Sequence, residues 1–168
     1  MPSPNAIGCA VTKTASSPAP PAPERVTRWP TGTFRSAERL ACALGNQACR
    51  RGFTVRYFRA SRFFQELAVA RGTGRYERVL RALLRTDLII IDDWATALLT
   101  DEERRDLFEI TEDRYDRRST VIAAQLPIEH WHDTIGDPTL ADAILDRLIH
   151  NAHTITLAGE SMRKRKQT

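Results

Sequence analysis

Residues 88–94 read Leu88-Ile89-Ile90-Ile91-Asp92-Asp93-Trp94. Four consecutive apolar residues, three of them β-branched, form the pattern of a strand buried on both faces of a parallel sheet. Two carboxylates follow without a spacer. In open α/β sheets, ligands bind at the carboxyl ends of the strands. Asp92 in that position can hold a magnesium ion, since a hard cation takes oxygen ligands. Asp93, one residue further and pointing elsewhere, can orient or deprotonate an attacking water. The same pair also fits a plainer role, with Asp92 capping the next loop and Asp93 solvated, and the stretch by itself leaves both open.

Outward from this strand the chain alternates between periods of two and 3.6. Upstream, residues 36–51 have helical composition, with Leu40, Ala41, Leu44 and Ala48 on one stripe and Gly52 as the stop. Val55-Arg56-Tyr57-Phe58 reads as a strand. Ser61 is placed to cap a helix running to about Arg71, and Gly72-Thr73-Gly74 turns into a second helix ending near Arg85. Downstream, Thr100 with Glu103 makes a capping box for a charged helix to about Asp116. That helix reads as a solvated, ion-paired face with acids and arginines at i,i+4 spacing, such as Arg105/Glu109, and as a possible oligomer surface. Thr120–Ala124 is another buried strand, Pro127 and Pro138 start helices, and Thr154–Leu157 is the last strand. Strands alternating with helices predict an α/β domain with a mostly parallel sheet sandwiched by helices.

The ends differ from this body. Six of the nine prolines fall within residues 2–23, so residues 1–28 read as a Pro/Ser-rich disordered start. Residues 1–60 hold nine Lys/Arg against two acids, residues 61–160 twelve against nineteen, and Arg163-Lys164-Arg165-Lys166 adds four positives. The body is acidic and the ends are basic, which fits either a solvated surface or contact with nucleic acid, the latter being the whole basis for a nucleotide-independent DNA-binding module. No apolar run approaches the roughly 20 residues that span a bilayer, and no signal peptide is recognisable, so the predicted location is cytoplasmic. Cys42 and Cys49, seven apart on one helix, read as buried thiols. His130, His132, His150 and His153 match no strong metal-ligand spacing.

Before the first helix stands Trp29-Pro30-Thr31-Gly32-Thr33-Phe34-Arg35-Ser36. A phosphate-binding loop reads G-P-T-G-x-G-K-[ST]: its backbone N–H groups wrap the phosphates, its lysine reaches the β and γ phosphates, and its hydroxyl reaches magnesium. Pro30, Thr31, Gly32 and Ser36 fit. Trp29 and Phe34 stand at glycine positions and Arg35 at the lysine position. Side chains there collide with the phosphates or with the required positive φ, and an arginine does not replace a compact ammonium.

Leu40-Ala41-Cys42-Ala43-Leu44-Gly45-Asn46-Gln47-Ala48-Cys49-Arg50, Val55–Arg59, Ile91–Trp94, Arg104–Leu107, Glu112–Tyr115, Arg117–Thr120, Gln125–Pro127, His130–His132, Gly136–Leu148 and Gly159–Lys164 resemble IstB-like ATP-binding proteins. These are helper ATPases of insertion-sequence transposases, grouped with DnaC-type helicase loaders in the AAA+ class. The resemblance covers about residues 30–166 and implies a P-loop NTPase-type fold. It implies Asp92 as the magnesium ligand of the acidic strand, joined by the Ser36 hydroxyl, and Asp93 as the water-activating acid. It implies Gln125 as sensor of the γ-phosphate and Arg147 as the arginine finger reaching a neighbouring subunit's nucleotide. Thr31, Gly32, Thr33, Arg35 and Ser36 would cradle the phosphates, and Arg163 could serve as a second sensor. By spacing alone, Arg147 equally fits an ion pair with Asp146 or Asp142. The implied cofactors are ATP and Mg2+; the implied partners are a transposase of the same element, DNA and further copies of the chain.

Two departures stand beside the substituted loop. The family runs an apolar first strand, lying mid-sheet between the fourth and fifth, directly into the loop. Here the aligned residues are Arg25-Val26-Thr27-Arg28, which are costly to bury. Ile7–Val11 is apolar enough for a strand but lies too far upstream, across the proline tract, to be expected in that place. The N-terminal helical domain of the family is also absent. The expected organisation is a divergent start over 1–28, a partial ATPase core over 29–158 and a basic tail over 159–168, in a truncated or frameshifted relative. Either it binds and hydrolyses ATP, or it is a degenerate remnant without ATPase activity.

Overall fold

The computed structural model describes residues 7–12, 36–150 and 152–157. They form five strands, β1 (Ile7–Thr12), β2 (Val55–Arg59), β3 (Leu88–Trp94), β4 (Ser119–Ala124) and β5 (Ala152–Leu157). With them are six helices, α1 (Ser36–Arg50), α2 (Ala60–Gly72), α3 (Tyr76–Arg85), α4 (Asp101–Arg114), α5 (Trp131–Ile135) and α6 (Pro138–Ile149). The strands make one sheet in the order β2-β3-β4-β1-β5.

The run Leu88–Ile91 is buried on both faces. Leu88 and Ile90 pack with Val55, Val121 and Ala123 under Ala37 and Ala41 of α1. Ile89 and Ile91 join the larger cluster on the opposite face, with Phe63 and Leu67 of α2, Leu80 and Leu83 of α3, Leu107 and Ile110 of α4, and Ile144 and Leu148 of α6. The sheet is therefore sandwiched by helices, and β2, β3 and β4 pair in parallel.

β1 corrects the sequence reading. Ile7–Thr12 is a strand of this sheet and occupies the slot between β4 and β5, antiparallel to both. Four strands thus share one direction and β1 runs against them. A slot inside the sheet beside the buried β4 favours an apolar segment, and Ile-Gly-Cys-Ala-Val-Thr supplies one without a charge, unlike Arg25-Val26-Thr27-Arg28. Distance along the chain weighs little against this, because loop-closure entropy grows only logarithmically, by about 0.6 kcal/mol per doubling of length.

Local details differ as well. α2 begins at Ala60, directly from β2, with Arg59 as N-cap and no side-chain cap bond, so Ser61 is not the cap. Thr100 and Glu103 do form the reciprocal capping box of α4. That helix is less solvated than its charges suggest: Asp106 and Arg114 are buried. Asp106 accepts hydrogen bonds from Arg71 and from the Tyr76 hydroxyl, the latter at 2.7 Å. Cys42 and Cys49 are free and only half-buried.

Candidate functional site

The carboxyl ends of β3 and β4 and the first turn of α1 border a small cleft. Glu38, Asp92, Asp93 and Gln125 line it together with Ala37, Ala123 and Ala124. Three of the residues singled out from sequence, Asp92, Asp93 and Gln125, therefore meet in one place.

A bulge aims the two carboxylates. Ile91 pairs with Ile122 and Trp94 with Ala124, so three steps on β3 face two on β4. Asp93 takes φ +54 and Ala95 φ +62. Left-handed backbone at a non-glycine residue costs on the order of 1 kcal/mol and concentrates at functional sites. Asp92 stays on the α1 face of the strand, 5% exposed, while Asp93 is half-exposed at the mouth.

Each carboxylate has defined partners. Tyr57 on β2 donates its hydroxyl proton to Asp92 Oδ2 at 2.5 Å. Burial holds the Asp92 carboxyl above its usual range, and the bonds from Tyr57 and from the Asp93 backbone N–H offset only part of that rise. The phenol of Tyr57 is itself raised by burial and by its bond to Asp92. Glu38 Oε1 lies 3.5 Å from the same hydroxyl; the single phenolic proton belongs to the shorter bond. Cys42, one turn further along α1, has its thiol pushed up to about 11 by burial and by Glu38 and Asp92. Asp93 is held from two sides: Arg59 Nε is 3.7 Å from Oδ2, and Gln125 Nε2 donates to Oδ1 at 3.4 Å.

Tyr57, Glu38 and Arg59 did not emerge from the sequence. The signal was the register of β2 on β3, which sets Arg59 opposite Asp92 and puts Tyr57 one alternation back on the same face. Arg147 is not brought to the cleft. It is tied at the α4–α6 contact, paired with Glu112 and with Asp146 at 3.6 Å, its guanidinium 5.8 Å from the centre of the Phe108 ring. Asp142 instead lies 3.4 Å from His132. Thr31, Gly32, Thr33, Arg35 and Arg163 lie outside the described residues, as does the Ser36 side chain at the start of α1.

The donor set suits magnesium. The cleft offers hard carboxylate oxygens with no soft ligand coordinated, and magnesium usually takes one or two carboxylates, with phosphates and waters completing its shell. No group of three or more acidic, His or Cys side chains is placed to hold a metal among the described residues, so a bound ion would need those further oxygens.

The family described as IstB-like ATP binding protein matches residues 28–168. A protein of Sinorhizobium fredii named as the insertion sequence ATP-binding protein y4pL is 54% identical over 138 residues, covering 82% of this chain and 56% of that protein. A second from the same strain, named y4uH, is 46% identical over 138 residues, covering 82% and 55%. The chain thus spans about half the length of the relatives it matches. Among solved structures, DnaA from Aquifex aeolicus bound to AMPPCP superposes with a TM-score of 0.55 at 22% identity, covering 64% of this chain and 34% of that one. A DNA replication initiation factor superposes with a TM-score of 0.58 at 23% identity, covering 66% and 34%. The likeness is one of fold, a P-loop NTPase-type arrangement carried by the parallel β2-β3-β4 strands and the helices on their two faces, with β1 antiparallel beside them. The chain belongs to the family of IstB-like ATP binding proteins.

Proposed function

We propose that this chain is an ATP-binding helper of DNA transposition, taking ATP and magnesium at the carboxyl end of its sheet. The convergence of Asp92, Asp93 and Gln125 on one cleft carries this reading. Asp92 and the Ser36 hydroxyl would hold the magnesium, which when bound supplies positive charge against the phosphates. Asp93 orients the attacking water and takes its proton, and Arg59 and Gln125 fix its two oxygens for that role. Gln125 reads the γ-phosphate from the end of β4. Thr31, Gly32, Thr33 and Arg35 would contribute to the phosphate cradle, and Arg147, exchanging Glu112 for a neighbour's nucleotide, would act in trans. The reading includes assembly of several copies in the cytoplasm, contact with DNA through the basic ends and delivery of a transposase.

A second reading is favoured by β1. Thr12 pairs with Ala152 at the start of β5, whereas α1 starts at the opposite, carboxyl end of the sheet, beside Asp92 and Gln125. The strand in the slot between β4 and β5 therefore does not run directly into the helix, as a strand–loop–helix phosphate cradle requires. With Phe34 and Arg35 in the loop, this supports a form that keeps the fold without hydrolysing ATP.

Titration with a fluorescent ATP analogue plus magnesium decides between them. The unmodified chain is expected to bind with a micromolar Kd, and Asp92→Asn to lose the magnesium dependence. Binding that appears only in Phe34→Gly/Arg35→Lys overturns the active reading in favour of the remnant.

A further inference from the structure

Resting on that reading, we infer that Tyr57 is a positioning residue for the metal-binding carboxylate: its hydroxyl locks Asp92 so that one oxygen remains turned to the cleft, and it thereby sets the magnesium requirement of nucleotide binding. Asp92 is almost fully buried, and a buried carboxylate that can rotate presents no defined ligand to an incoming cation. Tyr57 sits on the neighbouring strand, one residue away from the position opposite Ile91, and is rooted among the residues under α1. Its hydroxyl engages Oδ2 at 2.5 Å, a bond length typical of an ionised acceptor. With that oxygen occupied from the sheet side and the backbone N–H of Asp93 also bonded to the carboxylate, both rotation and register of the group are fixed. A neutral donor suits this task. A lysine or arginine in its place would cancel the charge that the cation needs, whereas a phenol orients the carboxylate and leaves its charge in place.

Glu38 belongs to the same arrangement. Its carboxylate stands 3.5 Å from the Tyr57 oxygen, a longer and weaker competitor for the phenolic proton than Asp92 Oδ2 at 2.5 Å. The shorter bond keeps the phenolic proton on Asp92.

The experiment follows binding of a fluorescent ATP analogue against magnesium concentration in the full chain, in Tyr57→Phe and in Tyr57→Phe/Phe34→Gly/Arg35→Lys beside its loop-repaired parent. Thermal melting and far-UV circular dichroism verify that Tyr57→Phe is folded. Loss of a hydrogen bond to a metal ligand typically weakens metal affinity about 10- to 100-fold. The half-saturating magnesium concentration is therefore expected to rise by about tenfold or more in Tyr57→Phe, with nucleotide affinity in excess EDTA unchanged. A merely structural role would lower both together. An unchanged magnesium requirement, in whichever background binds, overturns the inference and leaves nucleotide binding standing. Absence of binding in the unmodified and loop-repaired chains alike overturns both.

Discussion

At the scale of single residues, Arg114 shows how far a side chain's role can lie from its local pattern. It is 2% exposed and has no carboxylate on its guanidinium among the bonds described. Nη1 donates to the carbonyls of Leu83 and Thr86, both at 2.7 Å, Nη2 to that of Ser119 at 2.5 Å, and Nε to Thr120 Oγ1 at 3.2 Å. Burial and the nearby Arg118 push its pKa down to about 9, while the charge of Asp87 opposes that shift. One side chain thus bonds carbonyls at the end of α3 and at the start of β4. Arg114→Met is expected to cost about 1–3 kcal/mol in urea denaturation, since the buried Thr86 carbonyl loses its guanidinium partner while the Leu83 carbonyl keeps the Thr86 backbone N–H at 3.2 Å. Arg114→Lys should recover less than half, since an ammonium cannot span the three acceptors. From the sequence Arg114 looked like part of a solvated helix face, because charged side chains are seldom fully buried. Its partners come from the end of α3 and the start of β4, and no spacing along the chain brings the two together. Asp92 and Asp93, by contrast, were legible because the apolar run and the carboxylates are contiguous.

At the scale of elements, legibility follows the range of the interaction. The capping box of α4 is written in four consecutive residues. Thr100 Oγ1 accepts from the Glu103 backbone N–H at 3.3 Å, and Glu103 Oε2 accepts from the Thr100 backbone N–H at 2.8 Å. Thr100→Ala should cost about 1 kcal/mol, read as a lower urea midpoint with an unchanged m-value. Glu103→Gln, which keeps an acceptor, should cost less. Ser61 is the same kind of residue and yet caps nothing, because β2 passes into α2 without a turn and Arg59 already holds the N-cap position. The bulge in β3 lay equally out of reach. It exists only in the register against β4, and a register needs two strands. That register also explains the missed members of the cleft: Tyr57 and Arg59 enter the site from β2, a separate strand aligned on β3.

At the scale of the whole molecule, the decisive feature is which segment fills the slot between β4 and β5. The helical layers and the parallel β2-β3-β4 core follow from hydrophobic periods, and they were legible. The occupant of the slot was not, because local pattern grades a segment's fitness for burial but not its address. Backbone hydrogen bonding is satisfied by a strand of either direction, so polarity was free to yield to composition. This arrangement has a sharp consequence. Ala10 faces Ile122 on one side and Thr154 on the other, so its backbone stands between two ladders. Proline lacks the N–H and is tolerated only at sheet edges or bulges. Ala10→Pro should therefore destabilise the protein by about 3 kcal/mol or more. Hydrogen exchange should accelerate at Val121–Ala123 and His153–Ile155, which flank β1, while β2 retains its protection from β3. If another segment filled the slot, the substitution would leave both the melting temperature and the exchange at β4 and β5 unchanged. If β1 holds it, even a loop repaired at Phe34 and Arg35 still lacks a strand leading straight into it. Nucleotide affinity in the repaired chain should then stay below that of a chain whose strand in that slot runs parallel to β4.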